Sequence, residues 1–248
     1  MTQLTDFSGP EKVARSNDFI KIVPGIPVTI QILDKKSHHI VVHWIADGTG
    51  RRFSFRCLGK DVCPVCIRNA EIGWDRKHPN YIPAQNRYRV NVLDLTQGKI
   101  CPACGAVYVG NIPEVCTNEA CSASLRDVEA APLNRVRILE RGRRLFQKFN
   151  ALQEVPNPFA NDEIIPIQSY PIRLVATGQG TQMEITVLPQ PPNNIDPTQY
   201  ELLDLDAGLV LTPEEIQFIM DGGSLNDVLS ERRAAKANAS SDEGDIPF

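Results

Sequence analysis

Apolar and polar positions alternate along the middle of this chain in short runs, with the period of strands more often than that of helices. Residues 28–33 and 40–45 are β-branched runs joined by a polar turn at 35–37. Asp47-Gly48-Thr49-Gly50 is a second turn. It leads into Arg52-Phe53-Ser54-Phe55-Arg56, whose strict period of two puts both phenylalanines on one face. Residues 88–95 and 134–139 read as further strands, and 172–176 with 183–188 as a last hairpin around Thr177-Gly178-Gln179-Gly180. Gly142 opens a helical stretch, Arg143–Leu152, with Leu145, Phe149 and Leu152 on one face and Arg144 and Lys148 on another. After a Pro/Asn-rich linker at 189–194, Thr212 followed by Glu215 predicts a capped helix over Pro213–Met220.

Several short strands, few short helices and long inserted loops predict a mainly β fold, a five-stranded barrel of the OB type. The expected division is an N-terminal arm at 1–25, a core at 26–190, a linker with a short helix at 191–222, and a disordered acidic tail at 223–248. A composition of 42% apolar and 6% aromatic residues over 248 positions suits a small strand-rich domain better than a large enzyme core. No run approaches the ~18 apolar residues of a membrane span. The opening residues MTQLTDFSGPEK lack the basic stretch and apolar run of a secretory leader, so a cytoplasmic location is expected. In a reducing compartment, seven cysteines, an odd number, do not read as disulfides.

Charge is segregated. Residues 35–148 hold 19 Lys and Arg against 10 Asp and Glu, whereas 201–248 hold 3 against 11. A basic body with an acidic tail predicts a polyanion-binding surface and an element able to compete for it.

The cysteines carry the most specific signal. Cys101-Pro-Ala-Cys104 and Cys116-Thr-Asn-Glu-Ala-Cys121 form two tight loops, each presenting two thiolates, which is the ligand set of a zinc ribbon at 98–125. Cys57 with Cys63-Pro-Val-Cys66 supplies three more and needs a fourth ligand from His38, His39, His43 or His78. His43 sits on a neighbouring predicted strand, so that a hairpin brings it to Cys57, and His78 is the fallback. Two zinc ions per chain are expected, with the first site at 43–66. With its ligands counted, a four-thiolate site carries −2 and a three-thiolate site −1, so the body stays basic at about +6.

Basic residues interleave with aromatics: Arg51, Arg52, Phe53, Phe55 and Arg56; Tyr81; Arg87, Tyr88 and Arg89; Arg135, Arg137 and Arg141; Arg143, Arg144, Phe146 and Lys148. Single-stranded nucleic acid needs both kinds, cations for phosphates and ring faces for bases at ~1–3 kcal/mol each. One face of 52–56 also reads as core, as do Phe146 and Phe149. No phosphate-binding Gly-rich loop, nucleophile elbow, credibly placed carboxylate pair or deaminase motif is present, so no enzyme is expected.

The arrangement His43…Cys57…Cys63-Pro-Val-Cys66, then Asn86-Arg87-Tyr88-Arg89-Val90-Asn91-Val92-Leu93, then Arg135-Val136-Arg137-Ile138-Leu139 running into Gly142-Arg143-Arg144-Leu145-Phe146-Gln147-Lys148, resembles the T-even phage helix-destabilising protein family over residues 26–190. The resemblance implies an OB fold and a zinc site of one histidine and three cysteines. It also implies a protein that coats single-stranded DNA without strong sequence preference in replication, recombination or repair, in a bacterial or phage-infected cell. The ribbon departs from that family. So does the arm, where only Arg15-Ser16 stands in for the basic cluster that drives self-association. The end of the chain, with Asp242, Glu243, Asp245, Ile246, Pro247 and Phe248, resembles the acidic tip of bacterial single-stranded-DNA-binding proteins, which implies recruitment of partner enzymes. The rival reading is a zinc-ribbon adaptor that binds protein in the replication or transcription machinery.

Overall fold

The computed structural model describes residues 18–110, 112–118 and 120–241. Along them run β1 (Val28–Ile32), β2 (His38–Ala46), β3 (Arg52–Arg56), α1 (Pro64–Glu71), β4 (Ala84–Asp94), β5 (Gln97–Ile100), β6 (Val107–Val109), β7 (Ala131–Pro132), β8 (Arg135–Arg141), α2 (Arg143–Leu152), β9 (Ile172–Thr177), β10 (Glu184–Pro189), α3 (Pro213–Met220) and α4 (Leu225–Ser241). The fold is mainly β and its ladders are antiparallel. Among the described residues no helix is long and apolar enough to cross a membrane. The chain divides into two compact units, one of 18–39 with 87–207 and one of 40–86 with 208–241. The single core expected at 26–190 is thus distributed over both.

In the first unit the strands lie in the order β10-β9-β1-β4-β8. Alternation decides their inner face: Val28, Ile30 and Ile32 of β1, Val90 and Val92 of β4, and Ile172, Leu174 and Ala176 of β9 share one core with Leu145, Phe146 and Phe149 of α2. The outer face of β1 and β4 is also covered. Gln31, fully buried, donates to the Gln168 carbonyl and accepts from Asn193. Asn91 exchanges hydrogen bonds with the Leu203 backbone, donating to its carbonyl and accepting from its N–H. The linker therefore lies strapped to the sheet by buried amides that leave no polar atom of theirs stranded. The predicted barrel is not closed: among the described residues no ladder joins β8 to β10. Helix α2 follows directly on β8 and packs against β10, where Lys148 Nζ donates to the Ile185 carbonyl at 2.6 Å. A helix takes the place of the closing ladder. A separate three-stranded sheet, β6-β5-β7, forms the inserted ribbon.

The arm is not wholly loose. Phe19 bridges Ile138, and Ile20 and Ile22 enter the core, because Ile20-Lys21-Ile22 alternates apolar and polar residues and the Ile20 N–H donates to the Ile138 carbonyl of β8. Residues 1–17, with Arg15-Ser16, lie outside the described residues.

The second unit is built on the β2–β3 hairpin. Phe53, Phe55 and Ile45 pack with Leu211, Ile216, Ile219, Leu225 and Val228. Thr212 and Glu215 form the predicted capping box of α3. Residues 225–241, expected to be disordered, are helical. Leu225 and Val228 are buried, at about 1.5–3 kcal/mol each. Arg232 binds Glu215 through both Nε and Nη2, and the alanines that follow are the best helix formers. Residues 242–248, the acidic tip, lie outside the described residues.

Candidate metal centres and basic surface

The first metal centre is assembled by a hairpin and a helix start. Asp47 Oδ1 accepts from the N–H groups of Thr49 and Arg51 and so closes the β2–β3 turn. The resulting register sets His43 opposite Phe55, and the Cys57 N–H continues it by donating to the Val41 carbonyl at 2.8 Å. Gly59, at φ +104°, turns the chain back. Cys63 is the N-cap of α1 with Pro64 at its first position, so Cys66 falls one turn on and beside it. Among the four histidines weighed, the fold brings His43 to the cysteines. Its Nε2 is 3.4 Å from Cys66 Sγ, which is 3.6 Å from Cys57 Sγ. All four ligand atoms lie within 4.8 Å of one another.

The second centre sits in the ribbon. Gly105, at φ +70°, turns the chain after Cys104, and its N–H returns to the Cys101 carbonyl at 2.9 Å. Cys101 Sγ is 3.6 Å from Cys121 Sγ and Cys104 Sγ is 3.5 Å from Cys116 Sγ. Again the four ligand atoms lie within 4.8 Å. Metal–sulfur bonds of about 2.3 Å in a tetrahedron space the sulfurs by about 3.8 Å. Both sets fit a four-coordinate ion and each could hold one.

The thiols of each centre are split: Cys63, Cys101 and Cys104 are lowered, while Cys57, Cys121 and, chiefly through burial, Cys66 are raised. The hydrogen bond from Cys57 draws Cys63 down to about 3 against the effect of burial, with His43 adding to it, while Cys57 as donor is raised. Backbone N–H groups, that of Cys104 to Cys101 and that of Ala106 to Cys104, hold those two thiols below their ordinary value. The Ala123 N–H pulls Cys121 the same way, but burial and its three neighbours outweigh it and push it up to about 12. The surroundings of the two centres differ. Tyr108 Oη accepts from the Thr117 N–H at 2.8 Å and lies 3.1 Å from Cys116 Sγ and 3.3 Å from Thr117 Oγ1, so with the Thr117 hydroxyl donating to it, its own proton points at the nearer sulfur. His43 is fully buried and its Nδ1 has no hydrogen-bond partner among the described residues.

The basic and aromatic candidates separate by burial. Phe53 and Phe55 lie in the core of the second unit and Phe146 in that of the first, so these rings are not offered to a base. Arg89, 7% exposed, is structural: it donates to Glu140 at 2.8 Å and to the carbonyls of Leu205 and Ala207, and its guanidinium covers the Phe19 ring. Arg137 is held by the buried Asp94 at 3.0 Å. Arg51 and Arg52 are exposed and Arg56 and Tyr81 half-buried, all in the second unit.

Of what remains in the first unit, Arg135 lies at the far end of β8, whereas Arg143, Arg144 and Lys148 gather around the start of α2. A cleft of about 540 Å³ is lined by Arg141, Arg143, Arg144 and Lys148, with Met183 and Ile185 as an apolar wall. The helix begins at Gly142 with no side-chain cap and no acidic residue in its first turn, so its free amides and positive dipole end add to the cations. Arg141 lies opposite Tyr88 across the β4–β8 ladder. Burial, and then the neighbouring Arg87, lower its pKa, and its buried Nε has no partner among the described residues. The half-buried Tyr88 packs at a tilt between the rings of His39, 5.0 Å away, and Phe146, 5.6 Å away. The apolar wall escaped the sequence reading because β10 lies some forty residues downstream of α2 and meets it only in the fold. Arg141 stood in the same basic run as its neighbours and carried no signal to separate it from them. No protein-family model matches this chain, and no curated protein matches it in sequence.

Proposed function

We propose that this protein binds single-stranded DNA without strong sequence preference, through a surface centred on the α2 cleft, and that both metal centres hold zinc as structural braces. The observation that carries the reading is the concentration of Arg141, Arg143, Arg144 and Lys148 around an uncapped helix start, with Glu184 the sole carboxylate in the lining. Crowding like charges costs free energy that a polyanion relieves, and the apolar wall of Met183 and Ile185 suits the flat bases of an unpaired strand. The five strands of the first unit are read as an open OB-type barrel, in keeping with the resemblance to the T-even phage family. Four protein ligands at each metal leave no position for a substrate, which favours a structural over a catalytic role. The acidic tip is assigned to partner enzymes on its sequence alone.

The test is a titration of the zinc-loaded full chain with oligo-dT and with duplex of equal length at several salt concentrations. Preference for the single strand is expected, with log K falling by about 0.7 per phosphate contacted for each tenfold rise in salt. A flat salt response, or no binding to either, would overturn the reading and favour the protein-binding adaptor.

A further inference from the structure

The ribbon has no counterpart in the resemblance drawn from the sequence, and its place in the first unit gives it work. Its sheet is three strands wide with β6 at one edge, paired among the described residues to β5 on one side only. Val107 and Val109 of β6, with Gly105 and Ala106 before it, line a cleft of about 360 Å³ whose other walls are the segment 19–28 and the start of β8. Gly110 seats the ribbon against that segment: a Cβ there would stand 3.1 Å from Ile26, at a φ of +77°. The cations of this cleft are Lys21 and Arg135, both exposed, and Arg137, which is tied to Asp94 in the floor. Asp94 is buried and already engaged by Arg137 and the Thr96 N–H, so the lining keeps a positive excess.

The geometry points to the ribbon cleft as a second contact surface for the same single strand: Lys21 and Arg135 bind phosphate, and β6 forms a wall against the sugars and bases. This inference rests on the single-strand reading above and assigns the inserted ribbon to extending the footprint. The choice of occupant follows from charge, since an edge strand alone would serve equally for a peptide, whereas an edge strand beside two exposed cations favours a polyanion.

Two variants of the full, metal-loaded chain separate this inference from its parent. In Lys21→Glu/Arg135→Glu the salt slope for long oligo-dT should fall by about 1.4, two contacts' worth, with roughly tenfold weaker binding at low salt and metal content unchanged. In Arg143→Glu/Arg144→Glu binding should weaken whatever the ribbon does. Wild-type affinity and slope in the first variant, with loss in the second, would overturn the ribbon assignment and leave the parent standing; no loss in either would remove both. Should the first variant lose metal, photo-cross-linking of bromodeoxyuridine oligomers to the wild-type chain decides. Cross-links on the peptide holding Val107–Val109 uphold the inference, and cross-links confined to the α2 region refute it.

Discussion

Asp47 Oδ2 accepts the N–H of Leu225 at 3.2 Å, across 178 residues of chain. The same carboxylate that closes the β2–β3 turn thereby caps the start of α4. It binds the first metal centre's hairpin to the C-terminal helix within one unit.

That carboxylate is held below its ordinary value of 3.8, first by the Thr49 hydroxyl, against burial, and then by the N–H groups of Leu225, Arg51 and Thr49. Its stabilisation is therefore fully present above the unfolded value and is lost as pH falls through the lower folded value. Asp47→Asn should lower the melting temperature at pH 7. The gap to wild type, compared pH by pH, should stay level down to about pH 5 and narrow below pH 4. A gap that widened in acid would contradict the assignment.

Gly48 approaches Gly222 so closely that an added Cβ would stand 1.8 Å from the Gly222 carbonyl oxygen. Neither group is the end of a flexible side chain, so the backbone must shift. Gly48→Ala should destabilise by about 1–3 kcal/mol. Gly50→Ala has open space but a φ of +82°, and should cost about 1–2 kcal/mol through backbone strain alone. Paired urea unfolding curves check this, and a neutral Gly48→Ala would refute the close approach.

Tyr108 supports one metal centre in a way the other lacks. A hydrogen bond to a metal-bound thiolate withdraws charge from sulfur, and loss of such a support costs about 10–100-fold in metal affinity. Tyr108→Phe should release one of two metals more readily to a chelator and shift the sulfur-to-metal charge-transfer band of the cobalt-substituted ribbon. In the wild-type chain the order is reversed: with His43 Nδ1 lacking an acceptor, Cys57, Cys63 and Cys66 should become open to alkylation before Cys101, Cys104, Cys116 and Cys121. Mass spectrometry of the alkylated peptides reads that order directly.

Arg89 offers a sharp contrast between charge as binder and charge as brace. Arg89→Met would leave Glu140 and two carbonyls without their donor, at a cost of about 3–5 kcal/mol for breaking a buried pair. We expect a lower melting temperature, with oligo-dT affinity retained below the transition. Lost affinity in a fully folded variant would return Arg89 to the binding surface.

Much of the site was legible because it is local. Spacing alone collected Cys101, Cys104, Cys116 and Cys121, since two tight loops can present thiolates only on their inner sides. Period and capping located α2 and α3, because a helix start and its apolar stripe are written within a few residues. Helix α1 was missed, its eight residues hidden between ligands that read equally well as a loop.

The sequence by itself therefore determined most of the strands, the seven cysteines of the two candidate metal centres and the segregation of charge, whereas the choice of His43 among four histidines was left to the fold. Which arginines face solvent was decided only by the tertiary structure. Strand period assigns Arg89 and Phe55 to opposite kinds of face but does not say what covers each face. The covering groups are Leu205 and Ala207 for Arg89, and Ile216 and Leu225 in the cluster around Phe55. They lie over a hundred residues away, and burial depends on what the folded chain lays against a residue, to which local periodicity is blind.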